Sequence, residues 1–270
     1  MNDRSQETAT AVEREFMHPG KHRPHYLERV SIVQALRELR HRVKPGRLLD
    51  VGCGTGFMEQ FFQGVVTRTY AADATFNMLA IGKNKYSTDN VSWVNADASQ
   101  LPFQRESFDM VCSNAVLHHV YDYSNILREM VSLLRPGGRL FIGYEPNAIA
   151  YRLFYPVLMF LARFVPERSN KERIEELSGQ NEIPRLADKD LAKLTEFHIY
   201  YGKGIHPYRL KEELKEMGLE KIKLHFSIVY QIALLRDVGI PIPMMIFPDW
   251  LFKLTGPLSL SFSLTAAKQG

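Results

Sequence analysis

The chain has 270 residues, a net charge of 34 − 30 = +4 and 45% hydrophobic content. Its 17 Gly, 14 Pro and full apolar fraction exclude collagen-like, low-complexity and wholly disordered chains, and the length suits one large domain or a domain carrying an insertion. Cys53 and Cys112 are the only cysteines, too few for a disulfide framework, which points to a reducing compartment.

The first 16 residues, MNDRSQETATAVEREF, are polar and give no secretory signal. The longest stretch free of Asp, Glu, Lys and Arg runs from Leu254 to Ala267, 14 residues, short of the roughly 18 to 20 that a spanning helix needs. The expectation is a cytoplasmic protein, with peripheral contact at a membrane surface left open. Residues 1–46 read as an arm followed by a covering helix at Tyr26–Val43, stopped by Pro45-Gly46. Between Gly20 and Arg47 eight Lys and Arg face Glu28 and Glu38, an excess of 8 − 2 = +6. No RNA-binding module or stacking motif accompanies this excess, so a solvated helix face is favoured over a nucleic-acid partner.

Apolar strand-like runs follow at Arg47–Val51, Thr67–Ala72, Val91–Asn95, Met110–Ser113 and Arg139–Tyr144. Helical stretches separate them at Gly56–Gln63, Asn77–Lys85 and Ser124–Leu134, the last ending in the turn Arg135-Pro136-Gly137-Gly138. Strands buried on both faces and alternating with helices predict a doubly wound, Rossmann-like α/β fold. In such sheets ligands bind at the carboxyl ends of the strands. The first strand runs into Asp50-Val51-Gly52-Cys53-Gly54-Thr55-Gly56, where glycines let a ligand approach the backbone closely. Asp73, 21 residues after Gly52, ends the second strand, where an acid can accept from both ribose hydroxyls, and Asp97 ends the third, where a carboxylate can accept from an exocyclic amine. Taken singly, each of these features also has a purely structural reading as turn, cap or loop charge; their recurrence at three successive strand ends favours a ligand site.

This set resembles the class I S-adenosylmethionine-dependent methyltransferases of the small-molecule type. LLDVGCGTG at Leu48–Gly56 is similar to the first motif of that family, AADATFNML at Ala71–Leu79 to the second and ADASQLPF at Ala96–Phe103 to the third. FDMVCSNAVLHHV at Phe108–Val120 and LLRPGGRLFIGYEPN at Leu133–Asn147 resemble the fourth and fifth strands with their flanks. The resemblance implies that Asp50, Gly52, Cys53, Gly54 and Gly56 hold the amino-acid end of S-adenosylmethionine. Asp73 and Ala74 would lie at the ribose, Met78, Asp97 and Ala98 at the adenine, and Asn114 at the methionine end. Cys53 also reads as a small packing residue. A core over 47–147 is implied, with a helix at Leu210–Gly218 and strands at Lys221–Val229 and Leu258–Ala266 completing a seven-stranded sheet with an antiparallel last strand.

For methyl transfer, in-line alignment and desolvation supply most of the acceleration, and an oxygen or carbon acceptor adds a need for a base. His118, Tyr144 and Glu145 are the catalytic candidates, at the ends of the fourth and fifth strands. Adjacent side chains diverge on a helix, so only one of His118 and His119 is expected to face substrate. His119, Asn147, His198, Tyr201, His206 and Tyr26 are candidate substrate contacts, with packing, turn or surface roles as their bland alternatives. No metal is expected, because no Cys or carboxylate pattern accompanies the histidines.

Residues 148–206 read as a mainly helical substrate-lid insertion, and 207–270 as the rest of the core with a second apolar insertion at about 236–256. Ala148–Pro166 carries only Arg152 and Arg163 as charges, and Ile240–Phe252 is similarly apolar. The two segments pack on each other as a buried lid core, or line a greasy acceptor pocket, or touch a membrane. The expected activity is transfer of a methyl group from S-adenosylmethionine, leaving S-adenosylhomocysteine, to a small or lipophilic acceptor at oxygen or carbon. The alternatives are an RNA or protein methyltransferase using the basic N-terminal helix, and a catalytically silent cofactor-binding scaffold.

Overall fold

The computed structural model describes residues 46–62, 65–86, 89–153, 204–227, 259 and 261–270. The covering helix with Tyr26, the apolar stretch beyond Leu153, His198 and Tyr201, and the segment Ile240–Phe252 lie outside the described residues.

The elements in chain order are β1 (Arg47–Val51), α1 (Glu59–Phe62), β2 (Arg68–Asp73), α2 (Phe76–Lys85), β3 (Val91–Asn95) and β4 (Phe108–Asn114). After a 3₁₀ turn at Leu117–His119 come α3 (Tyr123–Leu133), β5 (Leu134–Pro146), α4 (Pro207–Glu216), β6 (Leu219–Ser227) and β7 (Ser261–Lys268). The strands form one seven-stranded sheet in the order β3-β2-β1-β4-β5-β7-β6. Pairings from β3 through β5 are parallel, and β7 runs antiparallel to both β5 and β6. Strand order reverses between β1 and β4, which opens a ligand crevice at the carboxyl ends of these two strands.

Side-chain alternation along the central strands builds a core on each face. Leu49, Val111, Leu140 and Ile142 pack with α3 residues Leu127 and Met130 on one face. Their sequence neighbours Leu48, Met110, Cys112 and Phe141 pack with Met58 and Phe62 on the other. Period-2 alternation sends adjacent residues to opposite faces, and burial on both sides explains why the strands read as continuous apolar runs. Helix α3 buries Ile126, Leu127, Met130, Val131 and Leu133 and is capped by Asp122, whose side chain accepts from the Asn125 N–H.

Most expected bounds shift by one to three residues, and two differ in kind. The helix expected over Gly56–Gln63 is reduced to Glu59–Phe62, because residues 54–58 remain in turns. The turn expected at Arg135–Gly138 is an irregularity inside β5: pairing with β4 jumps from Phe108↔Leu134 to Met110↔Arg139. Asp109 fixes this bulge by accepting from Arg135 Nη1 at 2.6 Å and from the Arg47 N–H at 2.7 Å.

The chain leaves the sheet twice at one corner. Asn147 bridges Ile205, the Ile205 N–H donates to Pro146 O at 2.7 Å and the Ala148 N–H to Ile205 O at 3.0 Å. Residues 148–204 therefore depart and return at a single point on the carboxyl edge of β5. The last residue of β6, Ser227, and the last of β5, Pro146, both pair with Ser261, the first of β7. Asn147 Nδ2 donates to Ser259 O at 2.8 Å and ties the two departures together.

Candidate active site

Five strand ends converge on the carboxyl edge. At β1, the N–H groups of Gly52 and Cys53 donate to Ala72 O, and the Gly56 N–H donates to Cys53 O, which folds the glycine loop back over the sheet. Gly54 has φ +53, and a Cβ built on it meets no atom of the described residues within 4 Å, so none of them fills the space before this backbone. At β2, Asp73 holds the loop in place: Oδ2 accepts from the Gly54 N–H at 2.9 Å and Oδ1 from the Thr75 N–H at 2.8 Å. A carboxylate has about four acceptor sites, so two such bonds leave capacity for a ligand hydroxyl. Ala74 beside it is exposed, while Met78 on α2 is buried. Cys53 is buried against Ala71 and Leu79, in keeping with a packing residue.

At β3, exposed Asp97 accepts from both the N–H and the Oγ of Ser99 at 2.7 Å. These two bonds hold its carboxyl below the usual carboxylate range, so it stays an ionised acceptor. Ala98 is half-buried next to it. Asn95 ties this end to β2 by donating from Nδ2 to the carbonyls of Asp73 and Ala74. Asn114 ends β4 half-buried, with its Oδ1 unpaired among the described residues.

The clearest construction joins β4 to β5. Glu145 is completely buried, and its Oε1 accepts from the N–H groups of Val116 and Leu117, each at 3.0 Å. Its Oε2 accepts from the His118 N–H at 3.1 Å and lies 2.8 Å from His118 Nδ1. One carboxylate thus gathers the open N–H groups of the 3₁₀ turn and fixes the imidazole. A bulge precedes it, since the four residues of β5 from Ile142 to Glu145 oppose only the three from Leu264 to Phe262 on β7. Tyr144 sits in that bulge at φ 55, half-buried, with its N–H donating to Ser263 Oγ.

Several expectations are corrected. Glu145 does not face substrate at a turn; it is an internal anchor, because β5 continues past it through Pro146. Asn147 is likewise fully buried, with Oδ1 accepting from the Ile149 N–H as the cap of the helical residues 148–153 and Nδ2 bound to Ser259. The side chains of His118 and His119 do not diverge: in the tight 3₁₀ turn their ring centroids lie 4.0 Å apart. His118 is buried and His119 half-buried. His206 caps α4, its Nδ1 accepting from the Arg209 N–H at 3.4 Å. Partial burial, with the nearby Arg209 and Arg152, lowers its pKa below the ordinary imidazole value.

One acid absent from the expected set stands out. Glu59 opens α1 only 2% exposed, and neither of its oxygens has a hydrogen-bond partner among the described residues. The signal was a lone glutamate between Met58 and Phe62, on the helix face that packs on the sheet.

A mostly parallel sheet with an acid-lined glycine loop at its switch point is an architecture that suits a nucleoside cofactor. Residues 49–142 match the methyltransferase-domain family. The chain is 35% identical over 191 residues to the demethylmenaquinone methyltransferase of Bacillus mycoides, covering 66% of this chain and 80% of that one. It is 30% identical over 121 residues to a ubiquinone/menaquinone biosynthesis C-methyltransferase of Desulfotalea psychrophila, covering 44% and 49%. The fold matches an S-adenosylmethionine-dependent methyltransferase from Mesorhizobium loti, with a TM-score of 0.54 and 17% identity over 88% of this chain and 98% of that one. It also matches the phosphoethanolamine N-methyltransferase 2 of Haemonchus contortus in complex with S-adenosylmethionine, at 0.53 and 17%, over 95% and 59%. The chain belongs to the S-adenosylmethionine-dependent methyltransferases.

Proposed function

We propose that this enzyme methylates a small lipophilic acceptor at carbon or oxygen, with His118 taking a proton from an acceptor hydroxyl. The observation that carries the reading is the buried Glu145–His118 pair at the edge where β4 and β5 end. With the Nδ1 proton directed at Glu145, the basic lone pair of the imidazole lies on Nε2. Proton removal from a ring hydroxyl raises electron density on that oxygen and on the adjacent ring carbon. The imidazolium that forms is stabilised by the carboxylate behind it.

The residues at β1 to β3 fit the cofactor. Unpartnered buried oxygen on Asp50 suits a cation, the open space before Gly54 suits close backbone approach, and Asp73 and Asp97 keep acceptor capacity. When bound, S-adenosylmethionine supplies a methyl group activated by its sulfonium. This chain's residues orient it, exclude water and move the proton. Asp73→Ala is expected to weaken cofactor binding about 10- to 100-fold by calorimetry, since it removes both the acceptor and the brace on Gly54. Affinity within twofold of the original would remove Asp73 from the site.

The lipophilic acceptor is supported by the surroundings and by the relatives' names. Phe76 opens α2, Tyr121 follows the 3₁₀ turn, Leu153 lies where the chain leaves β5 and Tyr208 opens α4. All four belong to segments at the carboxyl edge, and they are 70%, 80%, 55% and 43% exposed. Large apolar side chains around a site mark it for an apolar partner. Two relatives are named for quinone methylation, and a reduced quinone ring offers the hydroxyl and electron-rich carbon that a base at His118 would serve. No helix among the described residues is long and apolar enough to cross a membrane. The test is transfer of radiolabelled methyl into separate pools of reduced demethylated quinone in detergent, small phenols and RNA. Label in the quinone or phenol pool is expected; label confined to RNA would overturn the reading.

A further inference from the structure

Two buried carboxyl groups flank the glycine loop in sequence, with no counter-ion among the described residues. Asp50 is 1% exposed and Glu59 is 2% exposed. Asp50 Oδ1 accepts from Cys112 Sγ at 3.4 Å, while its Oδ2 and both oxygens of Glu59 have no hydrogen-bond partner among the described residues. The titratable groups facing the pair come from every neighbouring element: Asp73 on β2, Cys53 in the loop and Cys112 on β4. All are acids or thiols. No lysine, arginine or histidine among the described residues forms an ion pair with either carboxyl.

Buried charge without a partner is costly, and a protein meets that cost by binding a proton or a cation. Burial pushes Glu59 up to about 7. Burial also raises Asp50 well above the usual carboxylate range, and the charge of Glu59 adds to the effect. The thiols of Cys53 and Cys112 are raised as well, by burial and by these same acids, so they contribute no competing negative charge.

We infer that Glu59 is a second cofactor-binding carboxylate: with Asp50 it retains one proton in the free protein and releases it to solvent when the ammonium of the cofactor's amino-acid end enters. The inference rests on the methyltransferase reading and adds to it a residue and a proton. Cation binding lowers the folded-state pKa of the pair. The proton is therefore bound in the free enzyme below about pH 7 and lost in the complex, and affinity rises with pH.

The test is calorimetry of S-adenosylmethionine and S-adenosylhomocysteine at pH 6, 7 and 8, in paired buffers of different ionisation enthalpy. For a group titrating at about 7, the expected release is largest at pH 6 and declines through pH 7 to pH 8, with affinity rising up to about tenfold across that range. Both ligands carry the ammonium and only one carries the sulfonium, so equal release from both is expected; release from S-adenosylmethionine alone would overturn the assignment. In Glu59→Gln the like charge that adds to the burial of Asp50 is gone, so Asp50 titrates lower and release at pH 7 is expected to fall below that of the original protein. Binding by the original protein without proton exchange, or undiminished release by Glu59→Gln, would overturn the inference while leaving the methyltransferase reading intact. Failure of either ligand to bind at any pH would instead overturn that reading, and the inference with it.

Discussion

Glu145→Gln is expected to lower methyl transfer by about 10²- to 10³-fold while leaving cofactor affinity within about threefold. The carboxylate accepts from three consecutive backbone N–H groups and holds His118 Nδ1 at 2.8 Å. An amide of the same shape turns an NH₂ toward one of these donors and removes the charge behind the imidazole, so His118 loses both its fixed tautomer and support for its protonated form. A positioned general base is worth about 10²- to 10⁴-fold, which sets the scale for His118→Ala as well. The double variant is expected to be scarcely slower than either single one, because the two residues act as a unit. Glu145→Ala goes further. It orphans the buried N–H groups of Leu117 and His118 and the half-buried one of Val116, at about 1–3 kcal/mol for each buried donor, a large part of the 5–15 kcal/mol that holds a domain folded. Turnover with labelled cofactor and urea unfolding check these outcomes; full activity in Glu145→Gln would return the pair to a purely structural role.

Gly54→Ala and Gly204→Ala are expected to fail in opposite ways. Both glycines have positive φ, +53 and +92. At Gly54 the added methyl meets nothing within 4 Å, so folding loses only the left-handed backbone cost of about 1–2 kcal/mol. The methyl does occupy the space reserved for close ligand approach, and cofactor affinity is expected to fall about 100-fold or more. At Gly204 a Cβ would lie 2.6 Å from Pro146 O and 2.9 Å from Ala148 N, backbone atoms that cannot rotate away. Stability is expected to fall by about 2–4 kcal/mol from strain and overpacking together. Because Gly204 lies away from the glycine loop, folded Gly204→Ala protein should bind cofactor nearly as before. Urea midpoints and calorimetry on the two variants separate these effects, and equal affinity losses would contradict the division.

The cofactor half of the fold was legible because its strands are short apolar runs with a polar residue at or next to the carboxyl end. Leu48–Asp50, buried inside the sheet, and Val91–Asn95, half-buried at its edge, both show this, and the strand bounds at β1 and β3 coincide with expectation. What lay beyond reading depended on partners distant in sequence. Glu145 and Asn147 read in sequence as substrate-facing residues because nothing local announces a bulge opposite β7 or a hydrogen bond to Ser259. His118 and His119 were assigned helical divergence, whereas a 3₁₀ turn brings their rings together. Glu59 passed unnoticed because a helix-opening acid normally reads as a solvated charge, and only the packing of α1 against Leu48 and Phe141 shows it buried.

The hydrogen bonds joining Pro146, Ala148 and Ile205 have a practical consequence for design. Because the entry and exit of residues 148–204 already touch, a segment of any length with short flexible ends could be grafted there without stretching the sheet. Each doubling of loop length costs only about 0.6 kcal/mol in closure entropy. The same holds at Ser227 and Ser261, so two cassettes can be exchanged independently of the cofactor half. Either segment can thereby be transplanted without redesigning the core, and methyl transfer by the exchanged proteins reads out whether the segments set acceptor preference.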